Sequence, residues 1–307
     1  MSYIYEALLR AERERQSHPA SPEDQQTAPA PAEGISAYPP VESPVATESI
    51  AQYDWSPYVP SFPTLAKHGR GLEQFRSLRS HIYQARNETP LKTILISSGM
   101  PSEGKSFVTA NLAMSLARNS SNQILLIDGD LRRPSLNQLL GAPNEMGLSD
   151  YLAGTAELHA VMQRCSSGNS NDGNGVHDLA NLTFIPTGTL HDNASELITN
   201  QRIKELISRV SSSFDWILID SPPVLVFADA VDLARAVDAV LLVVRGAQTT
   251  YEVAQRAKSS FASSRILGVV LNDIKNPPRR DSYYNYYYYG KQEAATAPAT
   301  ATKQEIK

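Results

Sequence analysis

Lys92-Thr-Ile-Leu-Ile-Ser-Ser98 runs straight into Gly99-Met-Pro-Ser-Glu-Gly104-Lys105-Ser106. A short apolar run ends in a glycine-bracketed loop, and the loop opens onto a helical pattern over Ser106–Arg118. Strand, glycine loop and helix in that order gather backbone N–H groups and a helix N-terminus at one point, which suits a polyphosphate. The string fits G-x-x-x-x-G-K-[ST], which arises by chance in about one chain in a hundred of this length. Lys105 is expected to reach the β- and γ-phosphates, and Ser106 to give its hydroxyl oxygen to Mg²⁺. The expected nucleotide contacts are Gly99, Ser102, Glu103, Gly104, Lys105, Ser106 and Phe107.

The same apolar form repeats along the chain. Gln123–Asp128, Leu182–Pro186, Asp215–Asp220, Ala239–Val244 and Ile266–Leu271 read as further strands. Helical patterns separate them at Ser195–Val210, Ala228–Ala236 and Thr250–Ala262. Strands that are apolar throughout, rather than alternating, belong to a parallel sheet covered on both faces. The expected fold is therefore α/β, a mostly parallel phosphate-loop sheet with helices on both faces. Two strands end in acid: Ile124-Leu-Leu-Ile-Asp128-Gly-Asp130, and Trp216-Ile-Leu-Ile-Asp220-Ser-Pro-Pro223. In a parallel sheet those ends share one rim with the phosphate loop. One such aspartate is ordinarily a helix cap, whereas three around one phosphate loop make a Mg-nucleotide site.

The flanks differ in composition. Ten of the 20 prolines lie in the first 63 residues, among Ala, Ser, Glu and Gln. Residues 17–66 are expected to be a disordered linker, because such a stretch buries too little apolar surface to offset its ordering entropy. Residues 1–16 are expected to form a short amphipathic helix with Ile4, Ala7, Leu8 and Ala11 in one stripe. The catalytic domain then spans 67–275, with a mobile surface loop over 165–178, and a flexible tail spans 276–307. That tail carries Tyr283, Tyr284, Tyr286, Tyr287, Tyr288 and Tyr289, six of the chain's 14 tyrosines in seven positions. Beside a nucleotide site, they read as phosphoacceptors.

The 307 residues carry a net charge of −4, against the basic excess of a nucleic-acid coat, so no nucleic-acid partner is expected. A single cysteine, Cys165, excludes an internal disulfide and fits a reducing compartment. The longest apolar runs, such as Ala239 to Val244, fall far short of the ~20 residues that span a bilayer. A cytoplasmic protein is expected. Glu73, Arg76 and Arg79 recur at a spacing of three, on one helix face, available to a neighbouring carboxylate or another subunit.

Taken together, Glu73-x-x-Arg76-x-x-Arg79, Pro-Ser-Glu-Gly-Lys-Ser, Asp128-Gly-Asp130-Leu-Arg-Arg-Pro134, Asp220-Ser-Pro-Pro223 and the tyrosine cluster stand in an order that resembles bacterial tyrosine kinases, soluble type, over residues 70–290. The resemblance implies ATP-dependent autophosphorylation on the tyrosine cluster and control of exopolysaccharide assembly and export. It implies Lys105, Asp128, Asp130 and Asp220 as the catalytic set, with Asp128 as base for the tyrosine hydroxyl. Ser106, Asp130 and Asp220 would hold Mg²⁺, and Glu73, Arg76 and Arg79 would line a ring-forming homo-oligomer interface. It further implies a separate membrane polysaccharide co-polymerase as activator, recruitment to the inner face of the membrane, and a cognate tyrosine phosphatase. Ser102 stands where many members have glycine. Two other readings of the loop remain. One is a positioning ATPase, whose hallmark lysine five residues before Lys105 is here Met100. The other is a non-catalytic scaffold with a tyrosine recruitment tail.

Overall fold

The computed structural model describes residues 49–66, 68–166, 179–190, 194–199 and 201–274. Its frame is a sheet in the order β1-β4-β5-β3-β6-β2-β7-β8. The strands are β1 (Ala51–Tyr53), β2 (Thr93–Ser98), β3 (Ile124–Asp128), β4 (Gln163–Cys165), β5 (Leu182–Ile185), β6 (Trp216–Asp220), β7 (Ala239–Arg245) and β8 (Ile266–Asn272). All neighbours pair parallel except β4 and β5. Every residue of β2, β3 and β6 is buried, as apolar runs without alternation require.

Eight helices surround this sheet: α1 (Arg70–Glu88), α2 (Lys105–Ala117), α3 (Leu136–Leu140), α4 (Leu148–Ala153), α5 (Ala194–Thr199), α6 (Arg202–Val210), α7 (Asp229–Ala234) and α8 (Tyr251–Ser260), counted among the described residues. Successive strand residues feed opposite cores. Leu125, Ile127, Ile217 and Ile219 pack with Leu206, Leu233 and Ala257 from α6, α7 and α8. Ile124, Leu126, Trp216 and Leu218 pack with Ile82, Leu112 and Leu136 from α1, α2 and α3. The sheet is therefore covered on both faces, as expected from the sequence.

Three expectations need correction. The linker expected over 17–66 is packed from residue 49: Ile50, Trp55, Phe62 and Thr64 are buried, and β1 pairs with β4. The Thr64 hydroxyl donates to Asn111 Oδ1 at 2.9 Å, and Asn111 Nδ2 donates to the Ser61 carbonyl at 2.9 Å, tying this segment to α2. The prolines read as disorder instead open two short 3-10 turns, Val59–Ser61 and Pro63–Leu65. The single helix expected over 195–210 is two, α5 and α6. Cys165, expected in a loop, ends β4 and is buried. The amphipathic helix expected at 1–16, most of the 165–178 loop and the 276–307 tail lie outside the described residues.

Trp55 is a large buried anchor of the 49–66 segment. Its Nε1 donates to Gln163 Oε1 at 3.1 Å, and its ring meets Phe184 edge-on at 6.0 Å. Trp55→Ala should cost about 3 kcal/mol in a urea titration. An unchanged midpoint would return the segment to its unstructured reading.

Candidate active site

Parallel pairing sets the site. Asp128 lies directly opposite Asp220 in the β3–β6 register, and Asp220 opposite Ile96 in the β6–β2 register, so the acids and the phosphate loop leave the sheet at one rim. Gly129 follows at once because nothing larger fits: a Cβ there would lie 2.6 Å from the Asp220 carbonyl oxygen. The loop itself uses left-handed backbone at two places. Gly104, at φ 87, starts α2, and Ser102 sits at φ 64. The Ser102 conformation is one that glycine adopts freely and a β-carbon resists, at roughly 1–2 kcal/mol.

Lys105 is the hub. Its Nζ lies 2.9 Å from Asp130 Oδ2 and 3.6 Å from Asp220 Oδ2. The Ser106 hydroxyl donates to Asp220 Oδ2 at 2.5 Å, and Thr109 Oγ1 lies 3.2 Å from Asp220 Oδ1. Asp128 is wrapped by the chain that follows it: Oδ1 accepts from the Asp130 N–H at 3.3 Å, and Oδ2 from the Ser135 and Leu136 N–H groups at 3.2 and 3.1 Å. Asp130 Oδ1 accepts from the Arg133 N–H at 3.0 Å.

Burial raises the Asp128 carboxyl to about 7, with the nearby Asp220 adding to it against the Leu136 N–H and Lys105. Asp220 is raised by its burial too, opposed by Lys105 and the Ser106 hydroxyl. Burial alone would lower the Lys105 ammonium, but Asp220 and Asp130 outweigh it and hold it raised. A fixed cation thus stands among three carboxylates, one of which titrates near neutrality.

These residues fit a Mg-nucleotide. The N-terminus of α2 and the Lys105 ammonium offer positive potential where phosphates would lie. Among the described residues no group of three or more His, Cys, Asp or Glu forms a cage that would hold a cation alone. A small hard cation bound by one hydroxyl, one or two carboxylates, water and the nucleotide's own phosphates needs no such cage. Ser106 with Asp220 and Asp130 supplies that partial set.

The other expected residues are placed as follows. Glu103 is buried, and its side chain bonds back to the Met100 N–H of the same loop. Phe107 packs edge-on against Phe75 of α1 at 5.9 Å. On α1, Glu73 and Arg76 are exposed and pair with each other at 2.6 Å. Arg79 is not left to a neighbour alone, since it donates to the Ser115 carbonyl on α2. The six clustered tyrosines lie outside the described residues. Residues the sequence reading missed include Thr109, one helical turn past Lys105, and Thr249, in the turn after β7, which nothing in its local pattern marks.

The chain is similar to known proteins of one family. A family model described as "ParA: NUBPL iron-transfer P-loop NTPase" matches residues 90–303. Tyrosine-protein kinase YwqD of Bacillus subtilis is 31% identical over 223 residues, 72% of this chain and 87% of that protein. Tyrosine-protein kinase wzc of Salmonella typhimurium is 35% identical over 220 residues, 71% of this chain but only 28% of that longer protein. The kinase domain of Escherichia coli tyrosine kinase ETK superposes with a TM-score of 0.59 at 32% identity, covering 66% of this chain and 75% of that one. The chimerical protein CapA2B2 superposes with a TM-score of 0.63 at 26% identity, over 74% of this chain and 93% of that one.

The raised Asp128 carboxyl has a consequence for stability. Unfolded, it ionises near 3.8; folded, near 7, so between those values the native state binds the extra proton and stability falls as pH rises. Asp128→Asn removes that dependence. Measured without nucleotide, its stability relative to wild type should improve from pH 5 to pH 8 by on the order of 2 kcal/mol. A pH-independent difference would show that the carboxyl is ionised throughout.

Proposed function

We infer the function from one premise: the chain belongs to the bacterial tyrosine-protein kinases, within the ParA-type P-loop NTPases. On that premise it is an ATP- and Mg²⁺-dependent protein-tyrosine autokinase. Its acceptors are Tyr283, Tyr284, Tyr286, Tyr287, Tyr288 and Tyr289, on its own C-terminal segment or a neighbour's. The observation that carries this is the Lys105 ammonium held between Asp130 and Asp220 while Asp128, on the same rim, has a carboxyl near 7. A base of that kind suits removal of a phenolic proton near neutral pH.

In this reading the loop N–H groups and Lys105 bind the β- and γ-phosphates and orient the γ-phosphoryl group for transfer. Bound Mg²⁺, held by Ser106 with Asp130 and Asp220, would neutralise charge on those phosphates. Asp128 accepts the phenolic proton as the tyrosine oxygen bonds to phosphorus and ADP leaves. Lys105 stays charged throughout, because its acidic neighbours hold its pKa up. Reach is adequate: from Asn272 to Tyr283 an extended chain spans roughly 35–40 Å.

The same reading gives the protein a role in exopolysaccharide assembly and export. It acts in a ring of copies that meet through Glu73, Arg76 and Arg79, with a separate membrane co-polymerase as activator and a tyrosine phosphatase to reset it. No helix among the described residues is long and apolar enough to cross a membrane. Contact with the inner face comes through that partner in this reading. Against a positioning ATPase stands Met100, 43% exposed where the hallmark lysine would be.

Incubation of the full chain with labelled ATP and Mg²⁺ tests the reading, which expects base-stable phosphate on the tyrosine cluster. Lys105→Met should lower it by on the order of 10²–10³. Unlabelled tyrosines in wild type, with or without a co-polymerase segment, would sink the kinase reading. Arg76→Ala should reduce the mass measured by light scattering without altering the fold, since Arg76 pairs with the exposed Glu73 of its own helix. Arg79→Ala is the less clean variant, because it also removes a bond between α1 and α2. An unchanged mass for Arg76→Ala would leave the helix face merely solvated.

A further inference from the structure

Glu103 belongs to the phosphate loop, yet only 3% of it is exposed. Its Oε2 accepts from the Met100 N–H at 2.8 Å, and its Oε1 accepts from the Thr249 hydroxyl. Thr249 Oγ1 in turn accepts from the Arg245 N–H at 3.2 Å, which orients the hydroxyl proton toward Glu103. The Glu103 carbonyl accepts from Asn272 Nδ2 at 3.0 Å, and the Asn272 carbonyl accepts from the Gly246 N–H at 2.7 Å. A further bond runs from Arg245 Nη1 to the Ser102 carbonyl at 3.2 Å. Asn272 also lies so close that a Cβ on Gly104 would come within 2.1 Å of its Nδ2.

The loop between Gly99 and Lys105 is thus gripped from behind by the ends of β7 and β8. A buried carboxylate is costly unless its oxygens are satisfied, and left-handed backbone at Ser102 persists only where its surroundings over-determine it. Both features are met by the same few bonds. None of them uses Lys105, Ser106 or the three aspartates.

We infer that Glu103, Thr249 and Asn272 are positioning residues of the nucleotide site, holding the phosphate loop ready for phosphate without touching it. This rests on the nucleotide reading above but extends it to two segments remote in sequence, at Thr249 and Asn272. Glu103 acts through its side chain on the loop's far side, a different job from the direct nucleotide contact expected from its place in the motif. Asn272, the last residue of β8, makes loop geometry depend on how that edge strand ends. A preorganised loop does not spend binding energy on its own ordering, so loosening it should appear as lost nucleotide affinity.

Hydrogen exchange on the full chain without nucleotide tests the brace directly. Thr249→Val and Asn272→Ala should each speed exchange of amides in 99–106 by about tenfold, the effect of one lost hydrogen bond. Thr249→Ser, which keeps the hydroxyl, should restore wild-type exchange. Thr250→Val, which removes the α8 cap bonded to Val253 and the Thr250–Glu252 bond beside it, should leave 99–106 unchanged. The same two loop variants should bind Mg-ADP about tenfold more weakly by calorimetry. Wild-type exchange at 99–106 in both variants would overturn the inference, and so would acceleration spread equally through β2 and β7, which marks a general loss of stability. If the wild type itself binds no Mg-ADP, the nucleotide reading falls, and the exchange comparison still decides the brace.

Discussion

The pairing of β3 with β6 is the constraint on which the rest depends. Parallel register brings Asp128 opposite Asp220, both without solvent exposure, at the edge where the phosphate loop turns away from β2. Burial strips both carboxylates of hydration and raises both, with the charge of Asp220 adding to Asp128 and that of Asp130 adding to Asp220. The arrangement is tolerable because Lys105, Ser106, Thr109 and the N–H groups of 130–136 face them. At Gly129 between the acids the Asp220 backbone, and at Gly104 at the helix start the Asn272 side chain, leaves no room for a β-carbon. The site is thus an electrostatic compromise built by sheet geometry, and an Mg-bound polyphosphate would complete it.

Much of this was legible in the sequence. Apolar runs such as Ile124–Asp128 and Trp216–Asp220 have one physical solution, burial on both faces, and their terminal acids then have to fall on one rim. The glycine loop carries its own geometry, because only Gly104 can start α2 at φ 87 with Asn272 pressed against it. Lys105, Ser106, Asp128, Asp130 and Asp220 therefore come together where the spacing placed them.

What could not be read is what depends on partners distant in the chain. Prolines in residues 49–66 signal low helix and strand content, and whether Trp55 and Phe62 bury themselves is decided by Gln163, Phe184 and α2. A three-residue strand such as β1 or β4 is too short to show a period and exists because each lies on the other. The motif identifies Glu103 as part of the loop, but its bonds to Thr249 and from Asn272 are set by how β7 and β8 end. Arg79 reads as one of three like positions on α1, and only the packing of α1 on α2 separates it from Arg76.

The central claim is that Asp128, Asp130 and Asp220 make this rim accept a polyphosphate only in company with a divalent cation. Calorimetric titration of ATP into the wild-type protein, with Mg²⁺ and then with a chelator in its place, tests that most directly. The account expects binding at least about a hundredfold tighter with Mg²⁺, since a bare triphosphate would meet three carboxylates against one lysine. Equal affinity in the two titrations, or none in either, would contradict it.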